Sequence, residues 1–419
     1  MAMRETNRHA WLAWTWKGLL VALVVLGGLA YGVQSRSGLG VTGLSREMPW
    51  GLYISQFTFL VGIGASAVTV LLPYYVHRQK VFERALILGE IVAIIALTQA
   101  LLCITVDLGK PGRLLNILLY PAPSSLMFWD CLTLGGYLTL SVVGLAATLF
   151  AHGGSPAKWV RGLALVTIPW AIGIHIVTAL LYAGLAARPA WMTAVLAPRF
   201  LATAFASGPA LLILLAGFLA RAKIFDVGRE AVDRLSIIMT YAGAASVLLA
   251  ALEVFTALYS GVPAAGEHLA YLFLGLDGHT GLVAWTYSSW LLLLLALVVL
   301  LVPRLRRRQG LAYAATVAVL VSVLIDKGLC LVTSGFVPSP LGYVRDYRPS
   351  LVELGIVVGI YSGGALVFTA ACRILLVFCA KAHRYSSTSA TSDSTIHALS
   401  SPPPTAREPS MATAAPMEN

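Results

Sequence analysis

The chain has 419 residues, of which 58% are hydrophobic and only 11% charged. A soluble domain carries about 25% charged residues, so this composition excludes an ordinary soluble enzyme and indicates a membrane protein. The formal net charge of +11 would suit nucleic acid if it formed one patch; instead the basic residues are spread over short connections between apolar runs, so no nucleic-acid partner is expected.

A bilayer is crossed by about 20 predominantly apolar residues in helical form. Ten such runs are predicted, at 11–33, 50–76, 83–106, 124–150, 159–187, 198–220, 234–260, 281–302, 311–334 and 350–380. The expected fold is therefore all-α: a polytopic membrane protein of ten transmembrane helices. Residues 1–380 form the membrane domain. Residues 381–419, rich in Ser, Thr, Pro and Ala, are expected to be a disordered tail. The first run follows basic residues, as a signal peptide does. Its apolar part is long and no small-x-small cleavage site follows, so it is read as a helix.

Lysine and arginine set the orientation. One side collects Arg4, Arg8 and Lys17, then Arg78, Lys80 and Arg84, Lys158 and Arg161, Arg221 to Arg234, Arg304 to Arg308, and Lys381 to Arg407. The other has fewer: Arg36, Arg46, Lys110, Arg113, Arg188, Arg199, Arg345 and Arg348. Both termini are thus expected in the cytoplasm of a cell whose inner membrane holds the chain, with the loop after Asp107 facing the periplasm. Trp14, Trp16, Trp50, Trp159 and Trp191 fall near the predicted interfaces, as an aromatic belt would. Glycine-rich stretches at Gly62–Ala67 and Gly359–Gly364 suit close helix packing.

Ionisable groups within spans are costly and are functional candidates by default. Asp107 closes the third run. Asp130, Glu253, Asp326 and Lys327 lie about 10 Å inside their helices from the same side, at 1.5 Å per residue. Glu353 opens the tenth run and His175 is near mid-depth in the fifth. Charge from at least five helices thus falls in one layer. Part of it can be structural pairing, but a bundle has no stability need for so many desolvated charges. Carboxylates, a lysine, a histidine and apolar walls suit a quinone, whose redox cycle moves two protons with two electrons. Glu90 and Gln99 lie beneath Asp107 on the same helix. The cysteines form no C-x-x-C or Cys/His cluster, and His77, His152, His268 and His279 sit in loops or at helix ends, away from the depth of His175. No metal or haem site is indicated.

The segment Asp107-Leu108-Gly109-Lys110-Pro111-Gly112-Arg113, with Asn116, Pro121, Ser124, Ser125 and Trp129 after it, resembles a pattern of the NrfD/PsrC family. These are the membrane subunits of polysulfide-reductase-like complexes. Met48-Pro49-Trp50-Gly51-Leu52-Tyr53, Pro169 with His175, Trp191 to Gly208, Glu253 with Tyr259-Ser260-Gly261, and Pro349 to Gly359 extend the likeness over roughly residues 45–375. Gly112 departs from it, where relatives carry a larger residue. The ten-helix length is similar to the branch containing DsrP, HybB and HmeB, with DsrP, of the dissimilatory sulfite-reductase-associated complex, nearest.

The resemblance implies two four-helix bundles plus flanking helices. It implies exchange of electrons between a menaquinone or ubiquinone pool and a periplasmic ferredoxin-like iron–sulfur subunit, with no haem or metal in this subunit. In the DsrP branch it implies sulfur metabolism and further partners: a triheme cytochrome c, a haem b membrane subunit and a cytoplasmic iron–sulfur protein. On this reading Asp107, Glu253 and His175 handle protons. Asp130, Lys327 and Glu353 line the quinone pocket, and Lys110 and Arg113 either position the quinone or partner, or pair with Asp107. A secondary transporter and an inert anchor for redox subunits are the alternatives.

Overall fold

The computed structural model describes residues 2–150, 158–373 and 375, and side chains from Trp14 onward. The expected tail, 381–419, lies outside the described residues. Ten helices are long and apolar enough to span a membrane: α1 Trp14–Ser37, α2 Leu52–Val76, α3 Lys80–Asp107, α4 Leu126–Leu149, α5 Trp159–Ala183, α6 Leu196–Arg221, α7 Arg229–Tyr259, α8 Val283–Leu301, α9 Gln309–Ser334 and α10 Leu351–Arg373. No strand occurs among the described residues. The reason is the solvent. In hydrocarbon each backbone N–H and C=O must be bonded within its own segment, which a helix achieves and a loop does not. Odd-numbered helices finish at one end of the molecule, termed the outer end, and even-numbered helices at the inner end.

Turn chemistry sets several boundaries. α3 stops at Asp107 because Lys110-Pro111 follows, where proline removes a donor and biases its predecessor away from helix. Pro169 and Pro209 sit inside α5 and α6, where neighbouring helices support the backbone.

Two bundles result. α2 packs on α3, α3 on α4 and α4 on α5; α6 packs on α7 and α9, and α8 on α9 and α7. α2 and α5 meet α6, and α2 also meets α9, so these four helices form the seam between bundles. α1 and α10 pair outside the first bundle. A methyl group on Gly27 of α1 would lie 2.6 Å from the Cα of Gly359 of α10, so the close approach there requires glycine at both positions. The predicted glycine-rich stretch at 359–364 thus has its packing partner.

α9 contains a wide π-turn, Asp326–Cys330. It leaves carbonyls poorly paired, and Gln56 of α2 donates to Gly328 at 2.9 Å, which satisfies one of them across the seam. Between α7 and α8 a connecting helix, Pro263–Phe273, folds back over the outer end of the second bundle. Tyr271 on it donates to Asp346 at 2.9 Å, and His279 approaches the same carboxyl at 3.2 Å. Trp50 and Trp191 do not join the aromatic belt. They stack on each other at 5.9 Å and pack with Tyr182 and Phe336 in a buried cluster. Trp14 and Trp159 remain exposed as expected.

Candidate functional site

Beneath the connecting helix, the outer ends of α6, α7, α8 and α9 enclose a cavity of about 320 Å³. Its walls are apolar and aromatic, including Trp191, Leu269, Leu272, Phe273 and Trp290; its polar groups are Arg199, Glu253, Asp326, His268, Thr286 and Ser289. The exposed rim is formed by Pro189, Met192, Thr256 and Ser260.

Arg199, in the first turn of α6, organises the polar groups. One arm of its guanidinium meets Glu253 of α7, and the other reaches Asp326 of α9 at 2.7 Å. All three side chains are largely buried, between 14% and 23% exposed. A guanidinium presents its donors in a rigid planar fork, whereas a lysine ammonium is a point charge on a flexible stem. The formal charge is one cation to two carboxylates, so the triad holds one carboxylate in excess. The π-turn begins at Asp326, and the next residue, Lys327, serves a different purpose. Its ammonium donates to the Phe200 carbonyl at 3.1 Å and lies 4.1 Å from the centre of the Phe200 ring.

His268 enters from the connecting helix. Its Nδ1 lies 3.1 Å from the Ser334 carbonyl; a carbonyl only accepts, so Nδ1 carries the proton. The half-buried site pushes this imidazole below its ordinary value, and the nearby Glu253 opposes the shift without cancelling it.

The sequence layer of charges separates into distinct groups. Glu253 lines the cavity, together with its layer neighbour Asp326. Asp130 lies in the first bundle, where Thr178 donates to it at 2.6 Å. Lys327 and His175 are fully buried at the seam; both ring nitrogens of His175 lack a hydrogen-bond partner among the described residues. Glu353 is held at the outer end of α10 by Tyr347, the Gly43 amide at 2.7 Å and the Ser350 amide at 2.8 Å. Asp107 belongs to that region, with one carboxyl oxygen buried and unpartnered among the described residues. Lys110 and Arg113 are exposed and pair with no carboxylate among the described residues. None of these seven lines the cavity. Glu90 lies in the first bundle against Gly144 of α4, and Gln99 donates to the Ile360 carbonyl of α10.

Arg199 and His268 were not distinguished by sequence as site residues. Arg199 reads as a loop cation, because it lies one residue inside the predicted run. His268 reads as a loop residue, because nothing in its spacing reveals that the connection folds back.

The sequence matches the family described as "Polysulphide reductase, NrfD" over residues 40–338. A Halobacterium salinarum chain, named for the membrane component of a dimethyl sulfoxide reductase, is 28% identical over 403 residues, covering 86% of this chain and 90% of that one. A component of the selenate reductase of Mesobacillus selenatarsenatis is 24% identical, covering 86% and 93%. The Hdr-like menaquinol oxidoreductase integral membrane subunit of Archaeoglobus fulgidus is 24% identical, covering 84% and 90%. The match extends across both helical bundles and takes in Arg199, Glu253 and Asp326, and the chain belongs to the NrfD family of membrane subunits of redox complexes.

Proposed function

We propose that this chain is the quinol-reactive membrane subunit of a redox complex and that the Arg199–Glu253–Asp326 cavity is where quinol binds. One observation carries the reading: an ion-paired triad with a carboxylate in excess sits in a membrane-level cavity with aromatic walls. The volume falls at the small end of ligand pockets, which suits a single head group with its tail outside. Trp191, Trp290 and Phe273 offer flat apolar faces, and His268, Thr286 and Ser289 offer polar atoms. A bound quinol supplies two electrons and two protons. Glu253 and Asp326 accept protons at their carboxyl oxygens, Arg199 holds both in place, and the connecting helix limits access of water from above. An inert anchor would not need this cavity.

Menaquinol is the favoured quinone, because one relative is named as a menaquinol oxidoreductase subunit. Electrons leave toward an iron–sulfur partner docked at the outer end, the side with the exposed Lys110 and Arg113. A sulfur-compound pathway is the favoured setting, from the likeness of the Asp107–Arg113 segment. Glu253→Gln and Asp326→Asn should each lower quinol oxidation by the assembled complex about 10²-fold or more, as loss of a proton acceptor does. Full rates in both variants, with assembly intact, would remove the triad from the chemistry.

A further inference from the structure

A second cavity lies at the opposite end of the same bundle. The inner ends of α6, α7 and α9 enclose about 470 Å³. Its apolar side is formed by Ile213, Ala216, Val232 and Ile237, and its rim carries Arg229, Arg306 and Arg307. The guanidiniums of Arg229 and Arg307 make no ion pair or side-chain hydrogen bond with a described residue. That of Arg306 has only a long contact, 3.5 Å, to the Leu300 carbonyl. Two carboxylates of the lining oppose them. Asp226 accepts from the Gly228 amide at 2.9 Å and keeps its charge, and Asp233 makes no side-chain bond to a described residue, so three cations face two carboxylates.

Backbone geometry adds to the positive field. α7 and α9 both begin at this cavity, and neither Gly228 nor Arg308 caps them with a side-chain bond. Their first N–H groups and dipoles favour an anion there. The place is also specific: the spanning parts of all three helices start or stop here, as at a head-group boundary, and Ile237 is exposed beside the buried Ile213 and Ala216.

We propose that this cavity binds the phosphodiester of an anionic glycerophospholipid, such as phosphatidylglycerol. Arg229 and Arg307 contact the phosphate, Asp233 accepts from a head-group hydroxyl, and an acyl chain lies along Ile213, Ala216 and Ile237. Inorganic phosphate shares the anion but cannot use the groove. Phosphatidylethanolamine shares the phosphate but brings an ammonium toward the arginines.

The test uses the full chain, delipidated in detergent and re-exposed to lipids of matched chain length, with retention read by native mass spectrometry. Phosphatidylglycerol should be retained at least tenfold better than phosphatidylcholine or phosphatidylethanolamine. Arg229→Gln with Arg307→Gln should reduce that preference by roughly tenfold or more. Arg78→Gln with Lys80→Gln, an equal loss of charge outside the cavity lining, should leave it unchanged. Equal retention of the three lipids, competition by inorganic phosphate at equal concentration, or equal losses in the two double variants would overturn the site. If the first double variant fails to fold, the wild-type lipid and phosphate comparisons decide alone.

Discussion

Arg199 is the side chain whose loss should be felt most. Arg199→Leu leaves Glu253 and Asp326 facing each other without a cation, and a broken buried pair costs about 3–5 kcal/mol. Thermal unfolding of the purified protein should show a lower midpoint, and adding Glu253→Gln and Asp326→Asn to the same chain should restore part of it. A midpoint unchanged by Arg199→Leu would show that the triad carries no weight in the fold. His268 gives a pH signature. Its folded-state value lies below the ordinary 6.5, so the unfolded chain binds the proton more readily. The stability of the neutral imidazole is complete above about 6.5 and is lost as pH falls below it. Unfolding midpoints from pH 7.5 to 5 should drop more in the wild type than in His268→Gln; parallel curves would count against a neutral buried imidazole. Sequence reasoning found Glu253 and Asp326 because a carboxylate in an apolar run stands out. It did not find what holds them, since depth along a helix is readable but direction around it, and partners on other helices, are not. For the same reason one layer of charges proved to be several separate groups.

At the level of helices, the pattern was more legible. The number of spans follows from run length alone, because lipid leaves the backbone few alternatives. The π-turn in α9 was not visible, since Asp326–Cys330 contains no proline and Gly328 alone is weak evidence; a glutamine from another helix completes it. The glycine contact between α1 and α10 is open to a direct trial. Gly359→Val forces the helices apart and, as an overpacked contact, should cost about 1–3 kcal/mol. Cysteines introduced at positions 24 and 363, where a Cβ on residue 363 would lie 3.9 Å from the Val24 side chain, should then cross-link poorly compared with the same pair on a Gly359 background. Unchanged cross-linking would mean that the contact tolerates a side chain. The connecting helix shows the opposite limit of sequence reading. Residues 263–273 are too short to span and read as a loop, yet they cover the cavity.

For the whole molecule, two bundles share a seam made by α2, α5, α6 and α9, and the two cavities described above lie at opposite ends of the second bundle. The basic residues lie mainly at the inner end, and this predicts that both termini are cytoplasmic. Fusions of a cytoplasm-active fluorescent reporter at either terminus should be bright, and a periplasm-active phosphatase inserted after Gly112 should be active. The reverse result would invert the molecule and place the Arg199–Glu253–Asp326 cavity on the cytoplasmic side. The rim of that cavity has a further consequence. Pro189 and Met192, in the connection before α6, and Thr256 and Ser260, at the outer end of α7, form its exposed edge beside residues 263–273. The quinol proposed to bind there would arrive by two-dimensional diffusion within the leaflet, so turnover should track its mole fraction among the lipids and be indifferent to the volume of water outside.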